Sequence, residues 1–250
     1  MIRRIRYHVK KLWEVIALVS LELMLVFIAF AVSLGVVIIV IRQIFYNKNS
    51  VVDESIFQYL SHHVTATNTA IMQGVSYLGS HLFLVPAWLI LLVIFYFVEK
   101  NKWYLVKLLT ISLSTLLMMS GLKFFFNRPR PLIPLLKQVP GLSFPSGHAF
   151  MSFIFYGMLI YIVYLEVKNK WLKGLLYFVL GLCILLIGFS RVYLRVHYAS
   201  DVLAGFCFGF MALIILLWLL RRIERYNEKV IPPDLNATKV SDELPGASHK

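Results

Sequence analysis

Pro145-Ser146-Gly147-His148-Ala149-Phe150-Met151 opens a stretch in which a polar turn runs directly into an apolar block that continues to Glu166. Ser is a favoured helix N-cap, and Gly lets a ligand approach the backbone closely. The block from 147 to 166 has about the 20 residues that an α-helix needs to cross roughly 30 Å of hydrocarbon. The stretch therefore reads as a membrane span whose first turn stands at the interface with free N–H groups aimed outward. Such a turn attracts an anion through its N–H groups and the helix dipole. His148 lies just above it.

Working outward, five further apolar blocks of similar length appear, giving spans over about 18–42, 81–98, 104–124, 147–166, 171–190 and 199–220. The composition agrees: 60% of the 250 residues are hydrophobic, 15% aromatic and only 15% charged, outside the range of a soluble domain. The expected fold is an all-α, six-helix membrane bundle formed by residues 1–225, with no internal repeat and no second domain. Residues 226–250, with Pro232-Pro233, the Asn236 sequon and a Ser-Asp-Glu run, read as a disordered tail. The basic stretch before the first span resembles the start of a secretory signal. The apolar run is too long for one and no small-residue cleavage site follows, so a retained helix is expected.

The cations divide between two faces. Lys100, Lys102 and Lys107, then Lys168, Lys170 and Lys173, then Arg221, Arg222 and Arg225 share a face with the basic amino terminus. The positive-inside bias makes that face cytoplasmic, placing both termini inside a multi-pass cell-membrane protein. The other, extracytoplasmic face holds Lys123, Arg128, Arg130, Lys137, Arg191 and Arg195, against that bias. An anionic ligand at that face explains them. The formal net charge of +13 does not point to nucleic acid, because it is split between two membrane faces. Cys183 and Cys207 sit inside apolar spans as packing residues, and no His, Asp or Glu cluster offers a metal-ligand set. The five tryptophans mostly fall near span ends, as in an aromatic belt. Glu22 lies within the first span and is assigned a place near the interface or against a neighbouring helix. Ile56, Leu60 and Val64 show helical spacing within the 43–80 connection, which predicts a short interfacial helix there.

Three short segments carry chemistry. In the first, Lys123 ends the third span and Arg130 follows between Pro129 and Pro131, which force the chain out of helix. The two can converge on one phosphate, Arg as a planar fork and Lys as a point charge; Arg128 serves equally well on chemical grounds. In the second, Ser146 and Gly147 form the anion cradle. His148 suits protonation of a departing ester oxygen, because imidazole titrates near neutral pH. In the third, Ser190 and Arg191 close the fifth span, while His197 and Asp201 stand four apart, on one face if the sixth helix begins near Tyr198 or earlier. A carboxylate on one imidazole nitrogen fixes the tautomer and frees the other nitrogen to attack phosphorus.

Lys-x6-Arg-Pro (Lys123, Arg130, Pro131), Pro-Ser-Gly-His (145–148) and Ser-Arg-x5-His-x3-Asp (190–201) together resemble the type 2 phosphatidic acid phosphatase family of integral-membrane lipid phosphatases. The motifs are intact and in order over about 80 residues. The resemblance implies an outer-leaflet site that needs no metal and no cofactor, with a lipid phosphate and the bilayer as partners. It implies that His197 forms a phosphohistidine that Asp201 orients, and that His148 protonates the leaving group. Lys123, Arg130, Ser146, Gly147 and Arg191 then hold the phosphoryl oxygens, which selects Arg130 over Arg128. Undecaprenyl diphosphate, phosphatidylglycerophosphate and phosphatidic acid are the substrates it brings into view. Transfer of the phosphoryl group to another acceptor, or non-catalytic lipid-phosphate binding, remain the alternatives on residues alone.

Overall fold

In a computed structural model, the backbone is described for residues 2–98, 103–131, 134–135 and 141–230, and side chains for residues 21, 23–98, 103–131, 134–135 and 141–227. The Glu22 side chain, Lys137 and residues 231–250 with the Asn236 sequon lie outside the described residues. Helices follow one another throughout: α1 (Ile2–Ile41, continued by a π-helical turn Arg42–Tyr46), α2 (Val51–Ser61), α3 (Ala66–Tyr77), α4 (His81–Val98), α5 (Trp103–Phe126), α6 (Gly147–Glu166), α7 (Lys170–Tyr193) and α8 (Ala199–Val230). No strand occurs among the described residues.

Six helical segments are long and apolar enough to cross a membrane: Leu23–Tyr46, Ala66–Val98, Trp103–Phe126, Gly147–Glu166, Lys170–Tyr193 and Ala199–Asn227. They match the six blocks read from the sequence. The last helix runs further than expected, to Val230, so the first five residues of the 226–250 segment are helical. Local signals set the helix ends. Ser146 caps α6 by accepting from Ala149 N–H, and Asn169 caps α7 by accepting from Trp171 and Leu172 N–H at 3.0 and 3.2 Å. Helix α5 stops at Phe126, where Asn127 takes a left-handed φ of 46° just before the Pro129 and Pro131 pair.

Helix α6 is the centre of the bundle. It packs most extensively on α8 and α7, and also meets α4 and α5. Leu108, Ile111, Phe150, Ile154, Met158, Ile187 and Ala212 fill the space between them. Hydrocarbon provides little hydrophobic drive for helix association, so close backbone approach must supply it. Gly205 and Gly209, a G-x-x-x-G pair on α8, provide that approach. A Cβ on Gly205 would lie 2.8 Å from the Ser146 carbonyl and 2.9 Å from Ala149 Cβ. The outward faces carry Phe97, Leu117 and Trp171, which are 79%, 75% and 91% exposed and suit contact with lipid. Trp88 departs from the aromatic-belt reading: it is buried edge-on against Phe155, with ring centroids 5.2 Å apart.

The 43–80 connection folds as two helices rather than one. Ile56 and Leu60 of α2 pack against Ala149, Val192 and Val202, while Val64 lies beyond α2 and joins Tyr193, Leu194 and Val196. The Tyr193 end of α7 and the Ala199 end of α8 are thus roofed by α2 and α3.

Candidate active site

The ends of α5 and α7 and the starts of α6 and α8 meet beneath this roof, which brings the three sequence segments together. Lys123, in the last turn of α5, reaches toward the first turn of α6: a Cβ on Gly147 would stand 3.8 Å from Lys123 Nζ. Arg130 comes from the α5–α6 loop and donates from Nε to the Gly141 carbonyl and from Nη1 to the Val196 carbonyl, both at 3.1 Å. The first bond braces the α5–α6 loop internally and the second ties it to the α7–α8 loop, a tie that Leu135 N–H strengthens by donating to the Leu194 carbonyl at 3.0 Å. Arg191 is buried near the end of α7 and donates from Nη1 to Ser76 Oγ of α3 at 2.6 Å. Its Nε is also buried and has no hydrogen-bond partner. A buried donor without an acceptor is costly, and an anion in the site would satisfy it.

His148 sits at the centre of this group. Arg191, His197, Arg130 and Lys123 all lie close enough to act electrostatically on its ring. On its other side a Cβ on Gly79 would stand 3.4 Å from His148 Cδ2, so the α3–α4 corner closes the site there. Tyr156 fixes that corner to α6 by donating to the Leu78 carbonyl at 3.1 Å.

His197 is almost fully buried, at 1% exposure. Its Nδ1 lies 2.8 Å from the Ser143 carbonyl, which can only accept, so Nδ1 carries the proton and Nε2 keeps its lone pair. Burial pushes its pKa down to about 4 against the opposing pull of Asp201, with Arg130 and Arg191 reinforcing the fall. The imidazole is therefore neutral near pH 7, the state a nucleophile requires.

This geometry corrects the expected His197–Asp201 bond. Asp201 Oδ2 is 3.6 Å from His197 Nδ1, beyond hydrogen-bond distance. Three other donors hold the carboxylate: Arg128 Nη1 at 2.5 Å on Oδ1, and the Ser143 hydroxyl and Tyr198 N–H, the latter at 2.9 Å, on Oδ2. Tyr198 directly precedes α8, so Asp201 also caps that helix from its third position. The Ser143 carbonyl fixes the tautomer, and Asp201 acts on the ring through its field.

The cradle differs in a similar way. Ser146 is fully buried, its hydroxyl accepts from Ala149 N–H at 3.4 Å, and its own N–H donates to the Asp201 carbonyl at 3.0 Å. Ser146 shapes the turn, and the N–H groups of Gly147 and His148, at the first two positions of α6, are those without an intrahelical acceptor. Arg128 and Arg130 also part in space. Arg128 is buried between Asp53 and Asp201, with its guanidinium 3.9 Å above the Tyr198 ring. Arg130 is the one facing Lys123 and Arg191.

Sequence reasoning missed Asp53, Ser76 and Ser143. Asp53 had a usable signal, because it shares with Ile56 and Leu60 the helical face that α2 buries. Ser76 and Ser143 had none, since each acts through a chain distant in sequence. Among the described residues, no group of three or more His, Cys, Asp or Glu side chains is arranged to hold a metal ion.

Comparison with known proteins gives a consistent result. Residues 103–225 match the family model of the PAP2 superfamily. Phosphatidylglycerophosphatase B of Bacillus subtilis (strain 168) is 32% identical over 161 residues, covering 64% of this chain and 78% of the relative. The crystal structure of a transmembrane PAP2 type phosphatidylglycerolphosphate phosphatase from Bacillus subtilis superposes with a TM-score of 0.71 at 27% identity, covering 79% of this chain and 98% of the other. Fold and relatives together define a multi-pass membrane phosphatase. The chain belongs to the PAP2 superfamily.

Proposed function

We propose that this phosphatase hydrolyses the phosphomonoester or diphosphate of a membrane lipid at the extracytoplasmic face, without a metal ion, through a phosphohistidine. One observation carries the reading. Lys123 of α5, Arg130 of the α5–α6 loop and Arg191 of α7 converge with His148 and the neutral His197 on the first turn of α6. The Lys and Arg distribution supports a reading with that end of the bundle outside and both termini in the cytoplasm.

In this mechanism the three cations and the N–H groups of Gly147 and His148 hold the phosphoryl oxygens, with Ser146 shaping the turn. Phosphoryl transfer spreads negative charge over the equatorial oxygens, and preplaced donors in a poorly hydrated site lower the barrier by several kcal/mol. His197 Nε2 attacks phosphorus as the bond to the lipid oxygen breaks, and His148 delivers a proton to that oxygen. Asp201 favours the positive charge that then develops on the His197 ring. Water next attacks the phosphohistidine, giving its proton to His148, and inorganic phosphate leaves.

The relatives' names favour phosphatidylglycerophosphate as the first substrate to test, with undecaprenyl diphosphate and phosphatidic acid beside it. The test is phosphate release by detergent-solubilised protein in EDTA, with His197→Ala as control and an acid-labile phosphoryl label sought on the wild-type protein. Release that survives EDTA and disappears with His197→Ala is expected. Release by the variant, or no release from any of the three lipids, overturns the reading.

A further inference from the structure

We infer that Asp53 is a positioning residue for the reaction: from helix α2 it holds Arg128, and through Arg128 it sets the place and charge balance of Asp201 beside His197. This rests on the reading of the site given above.

The chain of contacts is continuous. Asp53 Oδ2 lies 3.1 Å from Arg128 Nη2, Arg128 Nη1 lies 2.5 Å from Asp201 Oδ1, and Asp201 Oδ2 lies 3.6 Å from His197 Nδ1. The side chains of Asp53, Arg128 and Asp201 are 5%, 9% and 0% exposed, so their charges act with little screening by water. Ser200 completes the assembly. Its N–H and hydroxyl donate to Asp53 at 3.0 and 2.5 Å, and its hydroxyl accepts from Arg128 Nη1 at 3.0 Å.

Two arguments separate positioning from plain anchoring. Ile56 and Leu60 already seat α2 on Ala149, Val192 and Val202, and a buried carboxylate is an expensive way to add to that seat. Charge is the second. Arg128 between two carboxylates leaves the trio at a formal net charge of −1, whereas Arg128 with Asp201 alone is neutral and draws Asp201 away from His197. The charged and titratable groups facing His197 are Asp201 from α8, Arg191 from α7, His148 from α6 and Arg130 from the α5–α6 loop. None of these four sits on α2, so Asp53 reaches the ring through Arg128.

The experiment compares the full chain in detergent with Asp53→Asn, Asp53→Asn/Arg128→Gln and Ser200→Ala. It reads kcat, KM and the pH profile of phosphate release from phosphatidylglycerophosphate. Asp53→Asn is expected to lower kcat about tenfold with KM within about twofold, and to move the acid limb of kcat/KM to lower pH. The double variant restores the formal charge of −1 and is expected to return the limb toward the wild-type position. Ser200→Ala removes contacts of Asp53 but no charge and is expected to leave the limb in place. A limb unmoved in Asp53→Asn, equally moved in Ser200→Ala, or not returned by the double variant overturns the inference. If Asp53→Asn does not fold, Arg128→Gln takes its place: at a formal charge of −2 it is expected to move the limb to higher pH and the double variant to return it, and a limb equally placed in the two overturns the inference. His197→Ala on the same preparation separates the two readings. Activity in that variant sinks the histidine mechanism itself, while its loss together with an unmoved Asp53→Asn limb sinks only the role of Asp53.

Discussion

The two ends of the bundle handle buried charge in opposite ways. Where α5 begins and α6 and α8 end, Lys107 pairs with Glu224 at 2.7 Å, Tyr104 donates to Glu166 at 3.1 Å and Arg221 donates to Tyr161 at 3.2 Å. Among the described residues, the buried cation of this end, Lys107, is thus matched by a carboxylate. At the other end, among the described residues, Lys123, Arg130, Arg191 and Arg128 are set against the two buried carboxylates of Asp53 and Asp201, and Arg128 engages both. Three cations are left facing one another. Like charges held together in a desolvated place are unfavourable by themselves, which fits the proposed function: one end built for stability and the other for an anion.

Substitutions can break this contrast, and the largest effect belongs to the proposed nucleophile. His197→Ala is expected to lower phosphate release by about 1000-fold or more while the thermal midpoint in detergent moves little. Next comes Arg191→Lys, which keeps the charge and loses the fork. A loss of about 100-fold in kcat/KM is expected, because the ammonium cannot both reach Ser76 and present a second donor to phosphate. A cation that mattered only as charge would show almost no loss.

Gly205→Ala probes the backbone under the cradle. Its Cβ would press on the Ser146 carbonyl, a backbone atom with little freedom to yield. A loss of roughly 1–3 kcal/mol in stability and about tenfold in activity is expected, measured by thermal melts and phosphate release on the same sample.

Lowering the pH is expected to act more weakly still. With its folded pKa near 4, His197 stays neutral well below the ordinary histidine range, so its protonation should remove less than about half the activity between pH 7 and 5. The unfolded chain binds that proton near pH 6.5 and the folded chain only near 4. His197 therefore favours the folded state fully above about 6.5, and stability declines as the pH falls from there toward 4. An acid limb near 6.5 assigned to His197 by substitution would contradict its burial.

The opposite end supplies the smallest effect on activity. Lys107→Met leaves Glu224 without its partner and is expected to cost roughly 2 kcal/mol, with Lys107→Met/Glu224→Gln recovering most of it. Phosphate release per folded molecule should stay within about twofold in both. A large loss of activity would mean that the two ends are coupled through α5 or α8.

Much of this was legible in the chain because the information is local. Span number and position follow from the apolar blocks, since a bilayer fixes helix length at about 20 residues. The N-cap at Ser146, the proline stop after Phe126 and the residue types of the site also need only short sequence windows. Contacts between distant segments were decided by the tertiary structure alone. Arg128 and Arg130 are two residues apart and chemically identical, yet one is clamped between Asp53 and Asp201 while the other faces Lys123 and Arg191. The His197 hydrogen bond passes to the Ser143 carbonyl, 54 residues away in sequence, because Arg128, Ser143 and Tyr198 have already occupied Asp201. Helix α2 reaches the site through Asp53, a single carboxylate that packing, not periodicity, turned inward. Sequence fixes what a residue offers within its own turn of helix, and packing decides which distant group receives the offer, since direction and burial set the strength of every polar contact.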